Sequence, residues 1–458
     1  MPTDIKRKAA ISHHRAGRLA EAKQLYTEIL SREPKHVVAL QLLGVIAYQQ
    51  GDARQATTLI GKAIALRPGY AEAHSNLGNA LKDQGKLDEA VAAYRKAVEL
   101  KPNFSDAHFN LGSALHDQGN LHEAEAAYRR ALDLNPDHAE THMSLGLLLL
   151  LTGNFEEGWS SYEWRWRTKG LLSESPRYSR TLWAGETLDN AAILLYAEQG
   201  VGDSLQFVRY APLVAARGGN VVIECGSEVA RLVATVDGVT GVALKGETLP
   251  DHAYRAPLLS LPHIFGTTLA DIPAEAPYIS VPDGVSVPDG VATLLVEPAD
   301  GRLRVGIVWA GNPHHTKDRY RSCPLHHFEA LARRDDLTMY SLQVGATAAD
   351  LEDLAVDAPI YNLGTYLNDF ADTAAAVAKL DLIITVDTAV AHLAGALARP
   401  VWTLLAFAPD WRWLLGRDDS PWYPTMRLFR QVRLGDWHNV FDQVGHALTV
   451  LTAENNRS

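Results

Sequence analysis

The chain has 458 residues, of which 21% are charged, and a formal net charge of -11. That length exceeds what one hydrophobic core holds, and an acidic balance spread over both halves argues against general nucleic-acid or anionic-membrane binding. Cys225 and Cys323 lie far apart without metal-type spacing, which predicts reduced thiols and no zinc site.

The N-terminus, MPTDIKRKAAISHHRAGRLAEAKQLY, carries charges throughout and reads as a repeat helix rather than a signal peptide. The longest aliphatic run, Leu147 to Leu151, is five residues. Spanning a bilayer takes about 20, so a soluble, cytoplasmic chain without membrane insertion is expected.

Gly44, Gly78, Gly112 and Gly146 stand 34 residues apart, and Pro34, Pro68, Pro102 and Pro136 keep the same step. Segment 71–104, AEAHSNLGNALKDQGKLDEAVAAYRKAVELKPNF, aligns without gaps on 105–138, SDAHFNLGSALHDQGNLHEAEAAYRRALDLNPDH. Both resemble the tetratricopeptide (TPR) repeat: helix, glycine turn, a second helix with Ala and Tyr on one face, then a proline stop. Gly17, Gly51, Gly85, Gly119 and Gly153 extend the array over residues 1–170. One such hairpin cannot bury its apolar face alone, so the repeats must stack, and the stack offers a groove for extended peptides or simply a scaffold.

The helical period dissolves after WSSYEWRWRTKG, and residues 171–190 read as a connector. Short apolar runs at 191–197 and 220–224, with a helical stretch from Ser204 to Arg217 between them, predict a βαβ unit within a first α/β domain over 191–290. Pro-, Gly- and Asp-rich sequence from 281 onward suits an interdomain link, drawn at 291–302. Runs at 303–309, 338–344, 381–386 and 400–405 predict a second parallel sheet over 303–435, followed by a C-terminal helix and tail over 436–458. Its helix, from about Asn439 to Leu451, is expected to return to the first domain.

Open parallel sheets bind ligands beyond the carboxyl ends of their strands, so the loops that follow strands carry the chemistry. After 191–197 comes EQGVGDS. Gly200 and Gly202 fit a dinucleotide fingerprint, with Glu224 near the ribose position, but Leu205 occupies the third glycine's place. Asp203 stands either as a helix cap or as a general base on a glycine turn. After 303–309 comes AGNPHHTKDRYRS, whose Lys317, Arg319 and Arg321 suit an anionic ligand or form a solvated basic loop. After 381–386 come Asp387, Thr388, Ala389 and, one turn on, His392. A strand running into Asp-Thr and a small-residue helix makes a phosphate site by geometry.

The segments EQGVGDSLQFVRY, VGIVWAGNPHHTKDRYRS, DFADTAAAVAKLDLIITVDTAVAHLAGALARPVW and PDWRWLLGRDDSPWYPTMRLFRQ are similar to those of GT-B glycosyltransferases, above all the heptosyltransferase-like group and its TPR-fused bacterial members. The layout also resembles protein O-GlcNAc transferases and flagellin glycosyltransferases. The resemblance implies an α-superhelical TPR solenoid before two Rossmann-like domains with a cleft between them. It implies Asp203 as catalytic base, with Asn312, Lys317, Arg319, Arg321, Asp387, Thr388, Ala389 and His392 on the nucleotide-sugar donor. Gln199 and Gly202 would meet the acceptor at the cleft. Asn76 and Asn110, at equivalent repeat positions, would meet it in the groove, although Leu42 and Ser144 break that ladder.

No Asp-x-Asp triplet occurs in the chain, which fits GT-B chemistry without a metal or any cofactor beyond the sugar nucleotide as co-substrate. Trp411, Trp413, Trp422 and Tyr423 beside Arg412 and Arg417 read as core packing or as an aromatic wall. The expected activity is sugar transfer to hydroxyl groups of a protein, possibly flagellin, that the TPR groove recruits. The alternatives are a lipopolysaccharide-core glycosyltransferase and a TPR adaptor whose GT-B part is inactive.

Overall fold

The computed structural model describes residues 2–168, 180–295, 302–314, 318–354 and 360–455. Residues 171–179 of the expected connector and half of the expected linker lie outside these residues. The chain forms two compact units, one of residues up to Leu148 with Trp164–Thr168, the other of Leu149–Glu163 with the rest.

In the first unit four helical pairs follow one another: α1 (Thr3–Arg15) with α2 (Leu19–Arg32), α3 (Val37–Gln49) with α4 (Ala53–Leu66), α5 (Ala71–Asp83) with α6 (Leu87–Leu100), and α7 (Ser105–Asp117) with α8 (Leu121–Leu134). The two glycine series have different physical reasons. Gly17, Gly51, Gly85, Gly119 and Gly153 have φ between 73° and 88°, the left-handed conformation that turns one helix into the next. Gly78 and Gly112 instead sit where a Cβ would stand 2.5 and 2.7 Å from the rings of Tyr94 and Tyr128, so glycine lets paired helices close on those tyrosines. Three of the inter-repeat turns are also tied by a histidine: His74, His108 and His142 place Nε2 at 2.9, 3.0 and 2.8 Å from the carbonyls of Pro68, Pro102 and Pro136, whereas Leu40 takes that place after Pro34.

The division between the units falls inside α9 (Ala139–Leu151), and α10 (Phe155–Tyr162) belongs to the second. There Trp159 donates from Nε1 to the Thr267 carbonyl at 2.9 Å and meets Trp411 edge-on.

The second unit holds two parallel sheets. The first orders its strands β1 (Thr181–Leu182), β5 (Tyr254–Pro257), β2 (Ala192–Tyr196), β3 (Asn220–Cys225) and β4 (Val239–Leu244). The second runs β11 (Met426–Arg430), β10 (Val401–Leu405), β9 (Leu382–Val386), β6 (Leu303–Val308), β7 (Leu337–Ser341) and β8 (Ile360–Asn362). Every strand of β9 and β10 is buried along its whole length, as parallel strands covered on both faces must be. Chain order reverses direction between β2 and β5 in one sheet and between β6 and β9 in the other. Switch points of this kind are where open parallel sheets bind ligands.

The helix expected over 204–217 is broken. It begins at Val201 as α11 (Val201–Phe207), passes through a 3-10 turn, and resumes as α12 (Ala211–Ala216). Pro212 lacks the amide that would continue the ladder. Further on come α13 (Ser227–Val233), α14 (Leu261–Ile264), α15 (Asp289–Leu294, across the start of the expected link), α16 (Asp318–Arg321), α17 (His326–Ala332), α18 (Phe370–Val377) and α19 (Ala389–Ala396).

The last helix, α20 (Trp437–Asn455), corrects an expectation. It packs on the second sheet, not the first: Val440, Phe441, Val444 and Leu448 share one core with Val305, Ile384, Leu404 and Phe328. Phe441 meets Phe328 edge-on at 4.8 Å. Its apolar stripe finds the nearer uncovered sheet face and has no reason to travel farther.

Candidate functional site

The loop after β2 and the helix after β9 meet. A Cβ on Gly202 would lie 2.9 Å from His392 Cδ2 and 3.6 Å from the Ala389 Cα, so α11 and α19 approach as closely as a hydrogen side chain allows. This gives Gly202 a packing reason beside the acceptor contact expected of it. His392 is buried, stacks on Trp413 at 5.3 Å, and pairs Nδ1 with the Tyr423 hydroxyl at 2.9 Å. Burial first, then Arg412, Arg209 and Arg321, holds its pKa well below that of free histidine, so the ring is neutral.

Asp203 is not the N-cap of α11. Gly200 is, and Asp203 reaches back three residues to accept from the Gly200 amide at 2.9 Å. Its other oxygen pairs with Arg412 Nη2. Arg412 also donates from Nη1 to Asp410 Oδ1 at 2.8 Å and from Nε to the buried Gln206 Oε1 at 2.5 Å. Burial opposes the charge on Arg412, but Asp410 and Asp203 outweigh it and raise its pKa. The candidate base is thus oriented by an arginine from the other sheet.

Asp387 leaves the end of β9 partly buried, and burial together with the Asp410 carboxylate pushes its pKa up to about 6, against the pull of Arg321 and Arg412. Thr388 is the N-cap of α19, yet its hydroxyl pairs with Thr385 at 2.9 Å and no side chain caps the first amides. Those amides and the helix dipole remain available to an anion.

Of the three cations expected near phosphate, Lys317 lies outside the described residues. Arg321 turns inward, across Gly311, where a Cβ would stand 2.6 Å from its Nη2, and its Nε pairs with Asp318 at 3.2 Å. Arg319 is exposed and lies over the Tyr320 ring. Asn312 is also exposed, its side chain capping the His314 amide at 3.0 Å. Of the two described arginines, Arg321 is the one that turns inward.

Gln199 is half-buried and donates to the Tyr162 hydroxyl at 2.7 Å, which links the loop to α10. Asn76 and Asn110 are half-buried on α5 and α7. Trp411, Trp413, Trp422 and Tyr423 are all buried, so the tail is core and hinge packing and not an open wall. Leu205, where a dinucleotide site needs its third glycine, is fully buried as well.

Sequence reasoning gave Asp410, Gln206 and Arg209 no site role, and read Tyr423 beside Arg412 only as core packing or an aromatic wall. Asp-x-Arg in PDWRW is too common a pattern to flag, and only the fold carries it to Asp203. Among the described residues no helix is long and apolar enough to cross a membrane.

Residues 326–422 match the family Glycosyltransferase family 9 (heptosyltransferase), while 13–75, 78–119 and 105–138 match tetratricopeptide repeat families. Protein FlbA of Caulobacter vibrioides (strain ATCC 19089 / CIP 103742 / CB 15) is 25% identical over 315 residues, covering 64% of this chain and 52% of FlbA. The chain therefore spans about half the length of that relative. Solved structures include MamA from Desulfovibrio magneticus RS-1, at 22% identity over 38% of this chain and 96% of that one, with a TM-score of 0.32. YrrB, described as a TPR protein with an unusual peptide-binding site, is 19% identical over 38% and 91%, with a TM-score of 0.31. Segments similar to tetratricopeptide repeats, a repeat of protein–protein interaction, thus precede one similar to glycosyltransferase family 9, a family whose chemistry implies a nucleotide-sugar donor.

Proposed function

We propose that this chain transfers a sugar from a nucleotide-sugar donor to hydroxyl groups of a protein that the repeats recruit, flagellin being one candidate. In this reading the two parallel sheets act as a GT-B pair in the cytoplasm, with the sugar nucleotide as co-substrate and no further cofactor or catalytic metal. The donor phosphates lie on the start of α19, at Asp387, Thr388 and Ala389, with Arg321 and the loop of Asn312, Lys317 and Arg319 opposing their charge. Asp203 receives the acceptor's proton while Arg412 keeps its carboxylate aimed. The acceptor lies along Gln199 and Gly202, and its chain along Asn76 and Asn110.

The observation that carries the reading is the contact of Gly202 with His392. It joins the two strand-end loops inside a unit whose residues 326–422 match a glycosyltransferase family. The test is a transfer assay with a panel of nucleotide sugars. Asp203→Asn and His392→Ala should each abolish transfer in folded protein, and wild-type rates in both would sink the assignment.

A further inference from the structure

Tyr94, Tyr128 and Tyr162 keep the 34-residue step of the repeats, yet the last of them has a different partner. Tyr94 donates its hydroxyl to Asn79 Oδ1 at 2.6 Å, inside its own repeat. One step on, Ser113 stands where Asn79 does, and two steps on Leu147 does. A leucine side chain accepts no proton, so the fifth repeat removes the partner that its period provides. The Tyr162 hydroxyl meets the Gln199 carboxamide instead, with Nε2 donating at 2.7 Å.

α10, which carries Tyr162, departs from the repeat pattern at the residues that fix it in the α/β unit. Trp159 takes the place of Val91 and Glu125, and Glu163 that of Arg95 and Arg129. The buried Trp159 indole donates to the Thr267 carbonyl at 2.9 Å and meets Trp411 edge-on at 5.1 Å. Glu163 accepts from the Ser260 hydroxyl at 2.9 Å, and Glu198, the neighbour of Gln199, accepts from the Leu259 amide at 3.2 Å. The helix and the loop after β2 thus grip the same 3-10 turn, Leu258–Ser260. That grip sets where the Tyr162 hydroxyl stands relative to the loop.

We infer that Tyr162 is a positioning residue of the candidate site, a repeat tyrosine diverted to hold Gln199 where the acceptor lies. Tyr162 is only 3% exposed, whereas Gln199 is half-buried, so the tyrosine acts through the glutamine. A glutamine has three side-chain torsions to order, and Gly200 beside it leaves the backbone loose as well. A buried hydroxyl on a braced helix supplies the missing constraint. Only the naming of the acceptor as what Gln199 meets rests on the sugar-transfer reading.

The first test is hydrogen exchange in the full-length protein, read by mass spectrometry. Tyr162→Phe keeps the ring and removes the hydroxyl. Amides 199–203 should exchange about fivefold faster, the worth of one hydrogen bond, while those of 155–161 exchange as before. Tyr26 holds the same position in the first repeat, and among the described residues its buried hydroxyl has no hydrogen-bond partner. Tyr26→Phe should therefore leave the loop unchanged. A loop that exchanges at the wild-type rate in Tyr162→Phe overturns the inference. Equal loosening of α10 and the loop does so too, because it would make Tyr162 a packing residue.

The second test is kinetic, with flagellin as the acceptor probe and the sugar nucleotide that serves the wild type. In Tyr162→Phe the KM for flagellin should rise about fivefold while the KM for the donor holds. If Tyr162 acts through Gln199, the double variant Tyr162→Phe/Gln199→Ala should match Gln199→Ala alone, and effects that multiply would refute the link. Exchange needs no turnover. A chain that transfers nothing to flagellin yet loosens at 199–203 counts against that acceptor and not against the hold of Tyr162 on Gln199.

Discussion

Arg412 and Asp203 form an ion pair that joins the two sheets of the α/β unit, with Arg412 only 8% exposed and the Asp203 side chain 18%. A pair this enclosed differs from surface pairs, which contribute little. Arg412→Ala leaves Asp203, Asp410 and Gln206 facing a hole, so unfolding free energy should fall by about 3–5 kcal/mol, measured as a lower urea midpoint. Arg412→Lys keeps the charge without the fork and should recover only part of it. Asp203→Asn separates structure from chemistry. If Asp203 is the base, activity falls by roughly 100- to 10,000-fold, well beyond any loss of folded protein. Activity that merely tracks the folded fraction would reduce Asp203 to a strut.

Gly202→Ala places a methyl 2.9 Å from the His392 ring, between two helices that cannot part without moving a sheet. Overpacking of this kind costs about 1–3 kcal/mol, and transfer should fall with it because α11 and α19 both carry site residues. Gly200→Ala is the control. Its Cβ would meet only the end of the Asp203 side chain, at 3.2 Å, and its φ of -74° suits any residue. A Gly202→Ala protein as active and stable as the Gly200→Ala protein would show that the seam is not tight.

The two glycine series in the repeats should respond differently. Gly78→Ala and Gly112→Ala drive a methyl into Tyr94 and Tyr128, for about 1–3 kcal/mol each. Gly85→Ala meets nothing within 4 Å but must hold a φ of 75°, a backbone cost of about 1 kcal/mol. Helix loss on heating checks the ranking. Equal shifts in all three variants would mean that turn strain, not the tyrosine contact, limits the repeat.

The repeats were legible because one physical demand recurs at one period, so Gly44 and Gly78 or Gly51 and Gly85 mark it without any tertiary information. The long strands 192–196, 303–308, 382–386 and 401–405 were legible as apolar runs. The edge strands were not: Thr181–Leu182 and Ile360–Asn362 are too short to show a pattern. At the site, Asp203, Asp387 and His392 stood out because each follows a strand directly. Arg412 and Tyr423 stand more than 200 residues from Asp203, in a tail whose aromatic density signals packing. Their roles depend on how one sheet docks on the other, and local sequence holds no trace of that. The destination of α20 was missed for the same reason, since an apolar stripe specifies that a face is buried and not which one.

Asp387 gives a pH test with a definite sign. Its carboxyl titrates near 3.8 in an unfolded chain and about 6 when folded, raised by burial and by Asp410. Between those values the folded protein holds a proton that the unfolded chain has released, so stability falls as pH rises through this window and levels off above it. Asp387→Asn removes the penalty. The melting temperature of the variant relative to wild type should therefore be lowest near pH 4, climb through pH 5 to 6, and reach a plateau by about pH 7. Asp410→Asn, by removing the like charge, should move the same window to lower pH in a chain that keeps Asp387. A difference between Asp387→Asn and wild type that stays flat from pH 4 to 8 would mean that the Asp387 carboxyl is solvated and uncoupled from Asp410, and the site would then lack the paired carboxylates on which its electrostatics rest.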